Sequence, residues 1–156
     1  MTTKKMAIIA TKGALDMAYP PLILASTAAA LGWEVQVFFT FYGLQLLRKN
    51  LDGIEISPIG NPAMPMPVPM PVLVSALPGM QAMATSMMKA KMKKKGVASL
   101  EELRTLCQEA DVKFIACQMT VDLFEFSKDD FIDGIEYGGA ATFLKFAGET
   151  DVCLFI

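Results

Sequence analysis

The chain has 156 residues, of which 53% are hydrophobic, so it is long and apolar enough to bury one substantial core in a single domain. Its 14 basic and 16 acidic residues give a net charge of −2, which excludes the uniformly basic surface of a protein devoted to nucleic acid. The three cysteines form no CxxC pair and the chain has no histidine, which argues against a zinc site or a disulfide framework and favours a reducing cytoplasm.

The first part of the chain alternates between strand and helix patterns. Its N-terminal apolar run is too short for a signal peptide and predicts a strand buried on both faces. The expected elements are, in chain order, a strand over 6–10, a helix over 14–31, a strand over 33–39, a short helix over 42–49 and a brief strand over 54–56.

The second part of the chain continues this alternation. Ser99 is predicted to cap a helix over 100–110, with Glu102 at the capping-box position. The elements expected after it are a strand over 112–116, a short helix over 119–124, a short sheet edge near Ile135, a helix over 139–147 and a terminal strand over 152–156. Together the elements predict an α/β fold, an open parallel sheet with helices on both faces.

A tract without charged residues extends from Ile56 to Met88. Residues 62–71 should be polyproline-like, because proline blocks both helix and central strand. We interpret about 58–95 as a Met/Pro-rich insertion that packs on or between subunits. Prolines disfavour a membrane span over 68–88, and the lack of an accompanying cysteine or histidine disfavours a copper(I) site of Met64, Met66 and Met70.

The end of this tract supports a further hypothesis, a docking or membrane-surface segment. A basic amphipathic helix lies on anionic lipid or grips an acidic partner. The residues that approximate one helical face are Met80, Met83, Ala84, Met87 and Met88, and lysines follow at positions 89, 91, 93, 94 and 95.

Cys117 directly follows the strand predicted over 112–116 and precedes a helix, a junction where α/β proteins place their chemistry. Amides at a helix N-terminus favour the thiolate, which makes Cys117 the candidate catalytic nucleophile. Because the chain has no histidine base, the reactivity of Cys117 has to come from backbone dipoles, lysines or a partner.

The other two cysteines have ordinary structural interpretations. Cys107 shares a helical face with Leu100 and Leu103, which predicts a core position. One helix-to-strand connection separates it from Cys117, so Cys107 is also the candidate second or resolving thiol. Cys153 lies in the apolar terminal strand and is expected to be buried.

The carboxyl ends of other strands, together with the Gly138–Gly139 pair, should surround Cys117. The candidate substrate-binding residues are Lys12, Gly13, Tyr42, Gly43 and Gln118. Lys12 is proposed to stabilise a thiolate or persulfide anion, the alternative being a solvated lysine in a turn. Glycines allow the backbone to approach a ligand closely. No GxGxxG or P-loop spacing is present, so no nucleotide cofactor is expected, and no metal.

Four segments resemble the DsrE/DsrF/DsrH family: MAIIATKG at 6–13, FTFYGL at 39–44, FIACQMT at 114–120 and DVCLFI at 151–156. The resemblance covers nearly the whole chain and points to the DsrE-like branch that carries a long Met/Pro insertion. It implies a flavodoxin-like three-layer α/β sandwich with a mostly parallel central sheet, usually assembled as a homo-oligomer.

The same resemblance implies a role in sulfur metabolism. Cys117 matches the family cysteine that carries sulfur as a persulfide, which implies a sulfurtransferase or sulfur carrier that relays sulfane sulfur to a partner thiol. Rhodanese-like and TusA-like proteins are the implied partners, and relatives of the branch suggest peripheral membrane contact. Cys107 resembles a second cysteine of this branch.

Two other functions compete with sulfur transfer. The alternative is a non-enzymatic oligomeric scaffold or membrane-proximal adaptor in which Cys117 reports redox state. A thiol peroxidase is disfavoured, because Phe114 stands where a Thr-x-x-Cys pattern requires threonine. Sulfur transfer needs a nucleophilic thiolate and no histidine base, so this composition is compatible with it.

Overall fold

Five parallel strands form the centre of the fold. The computed structural model describes residues 2–59, 63, 65, 67, 68 and 70–156. The strands are β1 (Lys5–Ala10), β2 (Glu34–Phe39), β3 (Lys113–Cys117), β4 (Glu136–Gly138) and β5 (Val152–Phe155). They lie in the order β4-β3-β2-β1-β5, and every pairing within this sheet is parallel. The predicted α/β fold with a parallel central sheet is confirmed.

The helices connect these strands in the predicted order. They are α1 (Leu15–Ala30), α2 (Val72–Ser75), α3 (Met80–Lys94), α4 (Leu100–Glu109), α5 (Gln118–Leu123) and α6 (Ala140–Ala147), with 3₁₀ helices at Phe41–Leu47 and Lys128–Asp130. The capping box at the start of α4 is confirmed. Ser99 Oγ accepts the N–H of Glu102 at 3.2 Å, and the Glu102 carboxylate accepts the N–H of Ser99 at 2.7 Å.

The two faces of the sheet belong to separate apolar clusters. On the α1/α4 face, Ile8 and Phe114 lie in the main core with residues of α1 and α4. On the α6 face, the neighbouring strand residues Ala7 and Ile115 form a smaller cluster with Phe143 of α6. Successive side chains of a strand point to opposite faces, so strands covered on both sides have the continuous apolar runs seen in this sequence.

The brief third strand expected before the Met/Pro tract is wrong. Ile54 and Ile56 are buried, but they lie in a loop. The N–H of Leu15 donates to Glu55 O at 2.7 Å, and the N–H of Ile56 donates to Thr85 Oγ1 at 3.1 Å. The apolar pattern indicated burial correctly. The backbone of this loop, however, bonds to the first residue of α1 and to a side chain of α3, and not to a strand.

The Met/Pro tract lies partly outside the described residues. The residues outside them include Asn61, Pro62, Met64, Met66 and Pro69. Much of the expected polyproline-like segment and two of the three methionines of the copper(I) hypothesis therefore lie outside the described residues. In the described part of the chain, no helix combines the length and the apolar character that a membrane crossing requires.

Helix α3 has a different apolar face from the expected one. Its residues that pack against the main core are Met80, Ala84, Met88 and Met92. Met83 and Met87 are instead 52% and 67% exposed. Residues four apart lie almost above one another on a helix, so the predicted set contains a buried row and a neighbouring exposed row.

Candidate functional site

Strand register places two threonine hydroxyls beside Cys117. Phe39 of β2 pairs with Ala116 of β3, so the next residues of the two strands, Thr40 and Cys117, are neighbours. Thr120 follows Cys117 by three residues in α5, and its Oγ1 lies 3.2 Å from Thr40 Oγ1. Two segments far apart in the sequence thus converge on one sulfur atom.

Four polar groups beside the Cys117 sulfur favour its anion. Cys117 is the N-cap residue of α5 and has an extended backbone, with φ −66° and ψ 110°. Burial raises the pKa of its thiol, but hydrogen bonds from the hydroxyls of Thr120 and Thr40 and from the N–H groups of Thr120 and Met119 outweigh this effect. The pKa of Cys117 is therefore lowered from its ordinary value, and the thiolate is favoured. We call these four donors the thiolate hole.

Aromatic side chains isolate Cys117 from water on the side of the sheet. Cys117 is only 5% exposed and lies in the cluster of the α6 face. In that cluster the rings of Phe38 and Phe143 are stacked, with centroids 5.0 Å apart and an interplanar angle of 16°. A hydrogen bond to a charged sulfur is stronger in such a water-poor environment than at the surface.

Exposed apolar residues flank the thiolate hole. Phe41 and Tyr42, which follow Thr40, are 43% and 65% exposed, and Met119 and Leu123 of α5 are 59% and 58% exposed. Phe124 joins the two segments: its ring stacks with that of Tyr42 at 6.2 Å and meets that of Phe41 edge-on at 6.3 Å. We call Phe41, Tyr42, Met119 and Leu123 the apolar rim.

The candidate glycines 13 and 43 hold backbone segments together. A Cβ on Gly13 would lie 2.5 Å from Tyr42 O, and a Cβ on Gly43 would collide with Ala10 O. The start of the 3₁₀ helix therefore packs directly against the end of β1. Both glycines keep in place the segment that carries Thr40.

Gly138 also lies beside Cys117, because these two residues pair across β3 and β4. Gly139 is the N-cap of α6. The expected position of the Gly138–Gly139 pair next to the cysteine is confirmed.

The side chains of Lys12 and Gln118, two further candidate binding residues, are not among the groups that lower the pKa of Cys117. Lys12 is exposed and shares a shallow depression with Gly13, Tyr42 and Gln45. It is not among the groups that set the pKa of Cys117. The Gln118 amide donates to Asp122 Oδ1 at 2.7 Å, along the surface of α5. The anion of Cys117 thus depends on neutral donors and not on a lysine.

The structure does not bring Cys107 to Cys117. Cys107 is fully buried in the main core of the α1/α4 face, whereas Cys117 belongs to the α6 face, so the sheet separates the two thiols. Cys107 Sγ donates to Leu22 O at 3.4 Å. Burial raises the pKa of Cys107 to about 12 despite a backbone hydrogen bond from Ser26. The core position is confirmed, and the two thiols lie on opposite faces of the sheet.

The expected burial of Cys153 is wrong, because this residue is exposed. Cys153 lies in β5, which is an edge strand, on the same face as Phe155, which is 74% exposed. An apolar terminal strand indicates burial only where a helix covers both of its faces.

Thr40 and Thr120 are absent from the candidate set drawn from the sequence. A threonine three residues after a cysteine at a helix start was a usable signal, because the N-cap side chain lies next to the third residue of the helix. Thr40 required the pairing of β2 with β3, which periodicity alone does not reveal.

Together the fold and the site define a small parallel α/β protein with one activated cysteine at the carboxyl end of a central strand. The chain belongs to the DsrE/DsrF/DrsH-like family, whose model matches residues 2–155. This confirms the resemblance noted in the sequence.

Two curated relatives align over essentially the whole chain. Sulfur carrier protein DsrE2 of Allochromatium vinosum is 71% identical, and the alignment covers 100% of both chains. Uncharacterized protein YrkE of Bacillus subtilis is 34% identical over 99% of this chain and 98% of that protein.

A solved structure supports the fold. The crystal structure of the ychN protein from E. coli matches with a TM-score of 0.56 at 13% identity, covering 99% of this chain and 100% of that chain. At this identity the match concerns the fold alone, which is consistent with a flavodoxin-like α/β sandwich.

Proposed function

We propose that this protein is a sulfur carrier that holds sulfane sulfur as a persulfide on Cys117 and passes it to a partner thiol. The thiolate hole carries this proposal, because its four donors favour a sulfur anion without any histidine base. The 71% identity to a protein named as a sulfur carrier supports the same function.

Loading and unloading are exchange reactions at sulfur. In loading, the Cys117 thiolate attacks the outer sulfur of a donor persulfide. A new S–S bond forms at Cys117, the S–S bond of the donor breaks, and the donor leaves as a thiolate. In unloading, an acceptor thiolate attacks the outer sulfur and Cys117 leaves as a thiolate. A thiol with a lowered pKa is the better leaving group, so the thiolate hole favours release as well as capture.

The partners follow from the family resemblance and from the apolar rim. We take rhodanese-like and TusA-like proteins of the cytoplasm as donor and acceptor. The four exposed side chains of the rim offer them a contact surface next to the sulfur.

We also propose that copies of this chain associate as a homo-oligomer. The exposed Phe155 on the edge strand β5 offers an apolar contact between copies. Light scattering of the purified protein should give a mass above that of one chain. The mass of a single chain would remove this part of the proposal.

Mass spectrometry of the intact protein tests the carrier function. After incubation with polysulfide, or with thiosulfate and a rhodanese, the protein should gain the mass of one sulfur atom. Cys117→Ser should abolish the gain, whereas the matched Cys107→Ser and Cys153→Ser variants should keep it. Equal loading of all three variants, or no loading of the unmodified chain, would contradict the carrier function.

A second candidate function, peripheral membrane contact, is favoured by the surface of α2 and α3. Val72, Leu73 and Met87 are 71%, 84% and 67% exposed, and the lysines at 89, 91, 93, 94 and 95 lie on or directly after α3. Exposed apolar side chains beside a cluster of cations fit an anionic lipid surface.

Liposome flotation with anionic and neutral vesicles tests this contact. The protein should float with anionic vesicles, and replacing Lys91, Lys94 and Lys95 with glutamine should abolish flotation. A matched triple variant at the exposed Lys12, Lys49 and Lys145 has the same net charge and should still float. Equal behaviour of the two variants would remove the contact through α3.

A further inference from the structure

Phe41 has a backbone conformation that aromatic residues rarely adopt. Its φ is +48°, in the left-handed region, where the Cβ of an L-residue is crowded. The other non-glycine residues with positive φ in the described part of the chain are Asp111 and Glu125, each just past the end of a helix. Left-handed residues are common at such ends. Phe41 instead begins a 3₁₀ helix directly after Thr40, so a helix end does not explain its conformation.

This conformation directs one backbone donor into the thiolate hole. The N–H of Phe41 donates to Thr120 Oγ1 at 3.2 Å. Thr120 is fully buried, so water does not compete for its hydroxyl. The Phe41 ring packs edge-on against Phe124 at 6.3 Å, a contact that helps to hold the residue in place.

The hydrogen bond from Phe41 restricts where the Thr120 proton can point. A hydroxyl has one proton to donate and two lone pairs that accept. The Phe41 N–H occupies one lone pair, and Thr40 Oγ1 lies 3.2 Å away. A threonine in a helix otherwise tends to donate to a carbonyl of the preceding turn. With its oxygen accepting from Phe41, the Thr120 hydroxyl keeps its proton for the Cys117 sulfur, and this hydroxyl is among the groups that lower the pKa of that thiol.

We propose that Phe41 is a positioning residue: its left-handed backbone holds its N–H against Thr120 Oγ1 and thereby keeps the Thr120 hydroxyl directed at the Cys117 sulfur. The inference deepens the proposed function and rests on Cys117 being its reactive group. Phe41 does not touch the sulfur in this scheme and acts only through Thr120.

Two substitutions at this position separate the backbone from the ring. Phe41→Gly removes the ring but adopts positive φ without crowding, whereas Phe41→Val removes the ring and, being β-branched, disfavours positive φ. The measurement is the rate of alkylation of Cys117 by iodoacetamide between pH 5 and pH 10, with the label located by mass spectrometry. Phe41→Gly should keep the pH midpoint of the unmodified protein. Phe41→Val should shift the midpoint upward and slow alkylation at pH 7 by about tenfold, the effect of losing one hydrogen bond to a charged group.

A Thr120→Val background provides the control for misfolding. Without the Thr120 hydroxyl, Phe41→Gly and Phe41→Val should alkylate Cys117 at equal rates, because the pathway from residue 41 to the sulfur is removed. Equal midpoints for the two Phe41 variants in the unmodified background, or a difference that persists with Thr120→Val, would overturn the positioning role. Alkylation requires no sulfur donor. This result is therefore independent of whether Cys117 accepts sulfane sulfur.

Discussion

The two buried cysteines of this protein, Cys107 and Cys117, have opposite chemistry. Cys107 is fully buried and Cys117 is 5% exposed, and burial raises the pKa of both thiols. The pKa of Cys107 is raised to about 12, whereas the pKa of Cys117 is lowered. For Cys107 burial prevails, whereas for Cys117 hydrogen bonds outweigh it. Cys107 donates to the carbonyl of Leu22, which stabilises the neutral thiol, and Cys117 accepts from the thiolate hole, which stabilises the anion.

This comparison shows that position in an α/β fold decides the function of a cysteine more than its depth does. Cys107 lies in the last turn of α4, where the backbone N–H groups are used by the helix itself. Cys117 lies where a strand ends and a helix begins, and the first N–H groups of a helix have no partner within it. The same side chain is therefore inert in one place and activated in the other.

The largest expected effect is a difference in alkylation rate between these two thiols. At pH 7 a thiol with a pKa of about 12 has a thiolate fraction of about one in 10⁵. In the folded protein, Cys117 should react with iodoacetamide more than about a hundredfold faster than Cys107. Peptide mass spectrometry of a time course measures both rates. In guanidinium chloride the two cysteines should react alike, and similar rates in the folded protein would contradict the comparison.

A smaller effect is expected in the pH dependence of stability. The folded pKa of Cys107, about 12, lies above the value of 9.0 for an unperturbed thiol. Below pH 9 its contribution to stability is fully present, and this contribution is lost as the pH rises toward 12, because the unfolded state releases its proton first.

Cys107→Ala tests this dependence. The variant should be less stable at pH 7, because it leaves a small cavity in the core. The difference in the free energy of unfolding should then shrink by up to about 4 kcal/mol between pH 9 and pH 12. Urea denaturation of both proteins across this range measures it, and a difference that stays constant with pH would show that Cys107 titrates normally in the fold.

The order of elements could be predicted from the sequence, because it depends on local patterns. The apolar run 112–116 predicted β3 almost to the residue, and the Ser99 capping box located the start of α4. The apolar pattern predicted a strand wrongly at Ile54, which is buried but lies in a loop. It predicted burial wrongly at Cys153, which is exposed on an edge strand. Which face is covered, and by what, is a property of the assembled sheet.

The candidate site was predictable in its central cysteine and in the glycine pair beside it, but not in its threonines. The spacing of Cys117 between a strand and a helix is a local property, and it was sufficient to select this cysteine over the other two. Thr40 comes within reach only through the register of β2 with β3. Lys12 was favoured for its charge, but the structure leaves it exposed and gives the anion neutral donors instead.

The smallest expected effect separates the two hydroxyls of the thiolate hole. Thr120 is fully buried, and its hydroxyl, with its own N–H, is a main source of the lowered pKa of Cys117, whereas Thr40 is only partly buried. Thr120→Val should therefore slow alkylation of Cys117 at pH 7 by about tenfold, and Thr40→Val by a smaller factor of about threefold.

The matched control is Thr105→Val, which removes an exposed hydroxyl on α4 and should leave the rate unchanged.

The lowered pKa of Cys117 also contributes stability that is present above the ordinary thiol pKa and is lost as the pH falls through the folded value. Each threonine variant should reduce the stability gained as the pH rises from the folded pKa of Cys117 to the ordinary thiol pKa. The loss of stability above pH 9 that Cys107 causes should stay the same. If Thr40→Val slowed alkylation as much as Thr120→Val, the two hydroxyls would act as one relay, with Thr40 donating to Thr120 and Thr120 to the sulfur.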